Sequence, residues 1–234
     1  MTLTDARLGG VLPGRYPNFV GRGDELDRLA AAFEAVAGGR TLVALVEGEA
    51  GIGKSRLVEE FCDRVRLLGA DVARGFCVPV DGGLPYAPVM GILRDLGDRI
   101  AQHDPAMVLQ RLHAAPVTVG SRDEGRPAAG EFARTWFFES MYRSLVELAR
   151  AAPVVLVIED LQWVDPATSQ LLDFLVRNLG DARVLVLGTY RTEDFGHDHP
   201  HAGWLTELGR HPRVLTIELA GLARMDLAAL VAET

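Results

Sequence analysis

Apolar residues recur along this chain in two alternating forms: short unbroken runs, and longer segments in which they return at every third or fourth position. That alternation predicts strands interleaved with helices, and so an α/β sheet domain. Leu26, Leu29, Phe33 and Val36 share one face of a helix predicted over 23–36. Asp24 and Glu25 lie in its first turn, where the helix dipole favours acids, and Gly38-Gly39 ends it. The run from Thr41 to Val46 is too apolar for a strand with one wet face, and predicts a buried one. Leu57, Phe61, Val65 and Leu68 mark a second helix that stops at Gly69. A strand is expected over 71–80, a turn at Asp81 to Pro85, and a helix over 89–100. Prolines and glycines without periodicity predict a surface loop over 113–130. A long helix over 131–150 follows, with Phe137, Met141, Leu145 and Leu148 inward. Pro153 separates it from a strand over 154–158, and strands over 184–187 and 214–219 complete the set.

Composition narrows the picture. With 234 residues and 48% apolar residues, the chain has material for one large core. Its longest apolar run, Ala151 to Ile158, is far short of the roughly 20 residues a membrane span requires. The opening residues Met1 to Arg7 lack a basic stretch followed by an apolar one, so no signal peptide and a cytoplasmic location are expected. Cys62 and Cys77 form no metal or redox spacing and are expected as buried, reduced thiols. The net charge is −8 with no basic run, so direct nucleic-acid binding by this chain is not expected.

The candidate chemistry starts at Gly48-Glu49-Ala50-Gly51-Ile52-Gly53-Lys54-Ser55, which matches GxxxxGK[ST] between a predicted strand and a predicted helix. The glycines let the backbone curl so that amides converge on phosphate oxygens. Lys54 brings an ammonium to the β- and γ-phosphates, and Ser55 offers a hydroxyl to Mg²⁺. The next helix aims its positive end at the same anion. Cradle residues are expected at Gly48, Ala50, Gly51, Ile52, Gly53, Lys54, Ser55 and Arg56, with ATP or ADP and Mg²⁺ as cofactors. Without an Asn-Lys-x-Asp segment, GTP is disfavoured.

The apolar run Val154 to Ile158 ends in Glu159-Asp160. A phosphate loop needs such a strand-end carboxylate to hold Mg²⁺ through water, and a neighbour to orient the attacking water. Glu159 is placed on the Mg²⁺ side and Asp160 on the water side, with the reverse division left open; both belong to the expected Mg²⁺ site. Asp165-Pro166 is read first as a helix cap and first helical residue, a phosphate or Mg²⁺ role being the rival use. Trp163 is expected to pack. Arg191, after Gly188-Thr189-Tyr190, is placed to reach a γ-phosphate, against the alternative of a surface arginine. His197, His199 and His201 are read as a solvated loop, with no metal assigned.

Together, Phe19-Val20-Gly21-Arg22, Gly48 to Ser55, Ile158-Glu159-Asp160-Leu161-Gln162-Trp163-Val164-Asp165-Pro166 and Gly188-Thr189-Tyr190-Arg191 resemble the ATPase module of STAND-class, AAA+-related proteins. They are most similar to the large ATP-binding regulators of the LuxR family. The resemblance implies a three-layer P-loop fold with a five-stranded parallel sheet in the order 5-1-4-3-2. It also implies backbone around Val20 and Arg22 flanking adenine, Arg191 as γ-phosphate sensor, and Lys54, Glu159, Asp160 and Arg191 as the catalytic set. A leader is expected over 1–18, the ATPase core over 19–220, and the start of a truncated helical lid over 221–234. On this reading the chain is a monomeric piece of a regulator whose absent C-terminal regions bind an inducer and DNA, oligomerisation being left to the parent. It would act as a slowly hydrolysing ATP switch. A motor ATPase or clamp loader, a small-molecule kinase and a binding module without hydrolysis are the alternatives.

Overall fold

The computed structural model describes residues 21–79, 85–103, 127–194 and 201–222. Five parallel strands form its centre: β1 (Leu42–Gly48), β2 (Asp71–Phe76), β3 (Val154–Glu159), β4 (Val184–Arg191) and β5 (Val214–Glu218). They lie in the order β2-β3-β4-β1-β5, the order that the family resemblance implies. The helices are α1 (Gly23–Ala37), α2 (Lys54–Leu67), α3 (Ala87–His103), α4 (Pro127–Ala151), α5 (Pro166–Asn178) and α6 (Ala202–Gly209).

Period-two alternation along the strands feeds two separate cores. Ala44 and Val46 of β1, with Val155, Val157, Leu185 and Leu187, pack beneath α1 and α2 around Leu29, Phe33, Leu57 and Phe61. Val43 and Leu45, with Leu156, Ile158 and Val186, face the other way into a cluster built by α3, α4, α5 and α6. Every residue of β3 is buried, which explains why its sequence is apolar without interruption. Burial of each large aliphatic or aromatic side chain contributes about 1.5–3 kcal/mol, so the two faces together anchor the central strands firmly.

Several boundaries differ from expectation. The strand expected over 71–80 ends at Phe76, where pairing with Glu159 stops. β4 does not stop at Leu187 but runs on through Gly188 to Arg191, because its pairing with β1 continues to Gly48 opposite Arg191. Helix α4 starts inside the expected loop, at Pro127, a residue suited to a first helical position because the amide it lacks would have no partner there. The rest of that loop, 113–126, lies outside the described residues. A short helix, α6, follows the histidine-rich stretch and packs Leu205 and Leu208 into the core, with Trp204 Nε1 donating to Asp173 Oδ1 at 2.9 Å. Spacing alone did not reveal it, since only two of its residues reach full burial. His197 and His199, the leader over 1–18 and the lid segment beyond Leu222 lie outside the described residues.

Two glycines mark close approaches. A Cβ on Gly188 would stand 2.5 Å from Leu161 Cδ1 and 3.1 Å from Leu45 Cδ2. A Cβ on Gly75 would collide with the Pro88 carbonyl, so α3 presses directly on the β2 backbone.

Candidate functional site

The candidate residues gather where the strands end. β1 delivers the chain into the glycine loop, and α2 carries it away. Gly51 and Gly53 have φ of 73° and 103°, and Gly53 is the left-handed N-cap of α2. Among the described residues beyond its chain neighbours, nothing lies within 4 Å of a Cβ built on either, so backbone conformation rather than crowding demands glycine there. Gly48 serves differently: a Cβ on it would meet the Leu219 carbonyl at 2.8 Å and Ile52 Cγ2 at 3.1 Å.

The Lys54 ammonium folds back over the loop and donates to the carbonyls of Gly48 and Glu49, both at 2.8 Å. These bonds, with the Ile52 N–H donating to the Glu49 carbonyl at 3.3 Å, brace the loop as an arch. Burial lowers the Lys54 pKa below the ordinary lysine value, while the Glu193 carboxylate pulls it back up. Arg22 supports the arch from outside, donating to the Ile52 carbonyl at 3.1 Å and pairing with Glu25 at 3.0 Å. Val20, expected beside it, lies outside the described residues. Ala50 and Arg56 are exposed, Arg56 in the first turn of α2.

The second half of the site comes from β3. Ser55 Oγ donates to Glu159 Oε2 at 2.5 Å, which joins the loop to the acid strand. The other oxygen, Oε1, accepts from the Arg74 guanidinium at 2.5 Å, so the buried Glu159 carboxylate is held between a hydroxyl and a cation. Asp160 turns away from the strand in a left-handed conformation, φ 60° and ψ 48°. Its backbone N–H donates to Thr189 Oγ1 at 3.1 Å.

Gln162, fully buried, bridges the two strand ends. Its Nε2 donates to Asp160 Oδ1 at 2.8 Å, and its Oε1 accepts from the Arg191 N–H at 3.3 Å. The Arg191 side chain brings Nε to 3.9 Å from Asp160 Oδ1 and lies over the Trp163 ring, 5.3 Å from its centroid. Arg191 thus stands, half-buried, between Asp160 and Trp163. Trp163 packs against the core and this guanidinium, in agreement with its expected packing role.

Asp165 is a cap. Its Oδ1 accepts from the N–H groups of Ala167 at 3.0 Å and Thr168 at 2.9 Å, and its Oδ2 from Thr168 Oγ1 at 2.5 Å. Glu193, just beyond β4, accepts from the Ala50 N–H at 2.6 Å. Sequence reasoning overlooked Arg74, Gln162, Thr189 and Glu193. Gln162 and Thr189 stand inside the stretches quoted for the family resemblance, and that position was the available signal. Arg74 and Glu193 become visible only when the strand order brings them beside Glu159 and the loop. Cys62 and Cys77 are free and buried, as expected.

A parallel sheet in this order, with a glycine arch leading from a central strand to a helix and an acid-ended strand one place removed, defines a P-loop protein of the α/β class. Over residues 18–187 the chain matches the AAA ATPase domain family, and it belongs to that family. It is 29% identical over 207 residues to an uncharacterized protein of Rhizobium meliloti (strain 1021), a match covering 79% of this chain and 19% of the relative. The chain thus spans about a fifth of that relative's length. Among solved structures, it is similar to a STAND protein with a tetratricopeptide repeat sensor from Pyrococcus horikoshii (15% identity, TM-score 0.49, covering 94% of this chain and 26% of that one). It is also similar to the Aeropyrum pernix Orc1 protein in complex with DNA (19%, 0.48, 95% and 52%). A third is AMPPCP-bound DnaA from Aquifex aeolicus (15%, 0.47, 97% and 52%).

Proposed function

We propose that this chain binds ATP with Mg²⁺ at the glycine arch and hydrolyses it slowly, as the switch module of a larger STAND-class regulator similar to the LuxR family. The observation that carries the reading is the contact between Ser55 and Glu159, because it joins a phosphate cradle to a strand-end carboxylate. The donor set fits the cofactor: a hydroxyl and a carboxylate are hard oxygen ligands of the kind Mg²⁺ takes. Among the described residues no cluster of three or more His, Cys, Asp or Glu stands ready to hold a metal alone. An ion completed by phosphate oxygens and water suits that sparse set.

Each residue then has a task. The amides from Ala50 to Arg56 hold phosphate oxygens, and Lys54 neutralises charge between the outer two phosphates. Ser55 and Glu159 would hold Mg²⁺ between the loop and the acid strand. When bound, Mg²⁺ offsets the negative charge that grows on the phosphates as the terminal bond breaks. Asp160 accepts the proton of the attacking water, and Gln162 steadies its carboxylate through Oδ1. Arg191 contacts the γ-phosphate. Backbone at Val20 and Arg22 flanks the adenine. The regulator reading rests on the order of the four motifs, and places inducer binding, DNA binding and assembly in regions outside this chain.

A titration with fluorescent ATP, paired with phosphate release, tests the assignment. Lys54→Ala is expected to abolish binding, whereas Asp160→Asn leaves binding within about twofold and slows release by roughly 100-fold, the scale of a lost general base. Unchanged affinity in Lys54→Ala would remove the loop as the site. Equal release by Asp160→Asn would remove the hydrolytic role and leave a binding module.

A further inference from the structure

The phosphate loop already donates to an anion from within the chain. Gly48 pairs with Arg191 at the shared end of β1 and β4, and the Thr192 N–H donates to the Gly48 carbonyl at 3.4 Å. This carries the chain past β4 directly over the loop. There the Glu193 carboxylate takes the Ala50 N–H at 2.6 Å. Its own N–H also bonds to it, and these two backbone donors, with the charges of Lys54 and Arg191, hold its pKa below the usual carboxylate value.

The position along the loop decides which phosphate is concerned. Amides at the start of α2 collect the inner phosphates, and Lys54 reaches the outer two. Ala50 lies ahead of that helix start, and the Glu193 carboxylate on its amide feels the charges of both Lys54 and Arg191. A diphosphate held by the helix end leaves the Ala50 amide to Glu193. A triphosphate brings a further anion to the same donor and the same two cations. Two anions cannot share that N–H, and their repulsion is strong at contact distance.

We propose that Glu193 is a specificity-determining residue that discriminates against the γ-phosphate, so that the loop keeps its internal carboxylate with a nucleoside diphosphate and must release it to accept a triphosphate. The inference rests on the nucleotide-binding reading above and deepens it. It makes the segment after β4 the part of the chain that differs between the two nucleotide states. Because Glu193 is exposed, its replacement leaves the packed core untouched.

Calorimetric titration of the full chain with ADP and with a non-hydrolysable ATP analogue, both with Mg²⁺, tests this in wild type, Glu193→Gln and Glu193→Ala. Both variants are expected to bind the triphosphate at least about fivefold more tightly than wild type, with ADP affinity within about twofold, and the gain to shrink at high salt. Parallel changes for the two nucleotides, or none for either, would overturn the discrimination while leaving the loop as the binding site. Wild type that bound neither nucleotide would instead overturn the binding reading itself, and the inference with it.

Discussion

Single side chains in this protein are set by what buries or clamps them. Asp160 sits at φ 60°, a conformation that costs an ordinary residue about 1–2 kcal/mol, and it stays there because Thr189 and Gln162 bond its backbone and carboxylate. Cys62 and Cys77 show the effect of burial most plainly: desolvation pushes their thiols up to about 11 and about 12. In the unfolded chain both ionise near pH 9, so there the unfolded state loses protons that the folded state keeps. Their contribution is therefore full below about pH 9 and falls as pH rises toward 11 and 12. At about pH 10 the loss is expected to reach about 1 kcal/mol per thiol. Urea midpoints at about pH 8 and pH 10 check this: wild type should drop more than a Cys62→Ala, Cys77→Ala double variant. Equal drops would mean the thiols ionise normally in the folded chain.

At the scale of elements, the strand ends matter more than the helices that cover them. Asp165 shows how one carboxylate can organise several segments. It caps α5, and its Oδ1 also accepts from the Tyr86 N–H at 3.2 Å, just before α3. Tyr86 in turn packs edge-on against Phe137 of α4 at 4.9 Å between centroids. Asp165→Ala removes the cap and strands three backbone donors, those of Tyr86, Ala167 and Thr168, with an expected loss of about 2 kcal/mol in urea unfolding. Asp165→Asn, which keeps an acceptor oxygen, should recover most of it. A loss below about 0.5 kcal/mol would show that the three helices meet without this residue.

For the whole molecule, the arch is coupled to stability because β1 and α2 both lie in one core with α1. A nucleotide that binds only the folded chain adds RT ln(1 + [L]/Kd), about 2.7 kcal/mol at a hundredfold excess over Kd. For a domain of this size the melting temperature should then rise by roughly 5–10 °C. A thermal melt with ATP and Mg²⁺ reads this directly. The rise should vanish in Lys54→Ala, and its persistence there would place the ligand elsewhere. Among the described residues no helix is long and apolar enough to cross a membrane.

The β1 and α2 pair, the apolar β3 and the Asp165-Pro166 cap were legible in the chain itself, because each is written in consecutive residues: periodicity, glycine spacing and a cap before a proline. Local pattern also placed Glu159, Asp160, Lys54 and Ser55 near one another in principle. It did not show that Ser55 donates to Glu159, that Arg74 from a neighbouring strand occupies the other carboxylate oxygen, or that Gln162 clamps Asp160 to Arg191. Nor did it show Glu193 on the Ala50 amide. Those contacts join residues 29 to 143 positions apart. Strand order and register decide them, because hydrogen bonds between distant segments exist only once a shared sheet has aligned their ends.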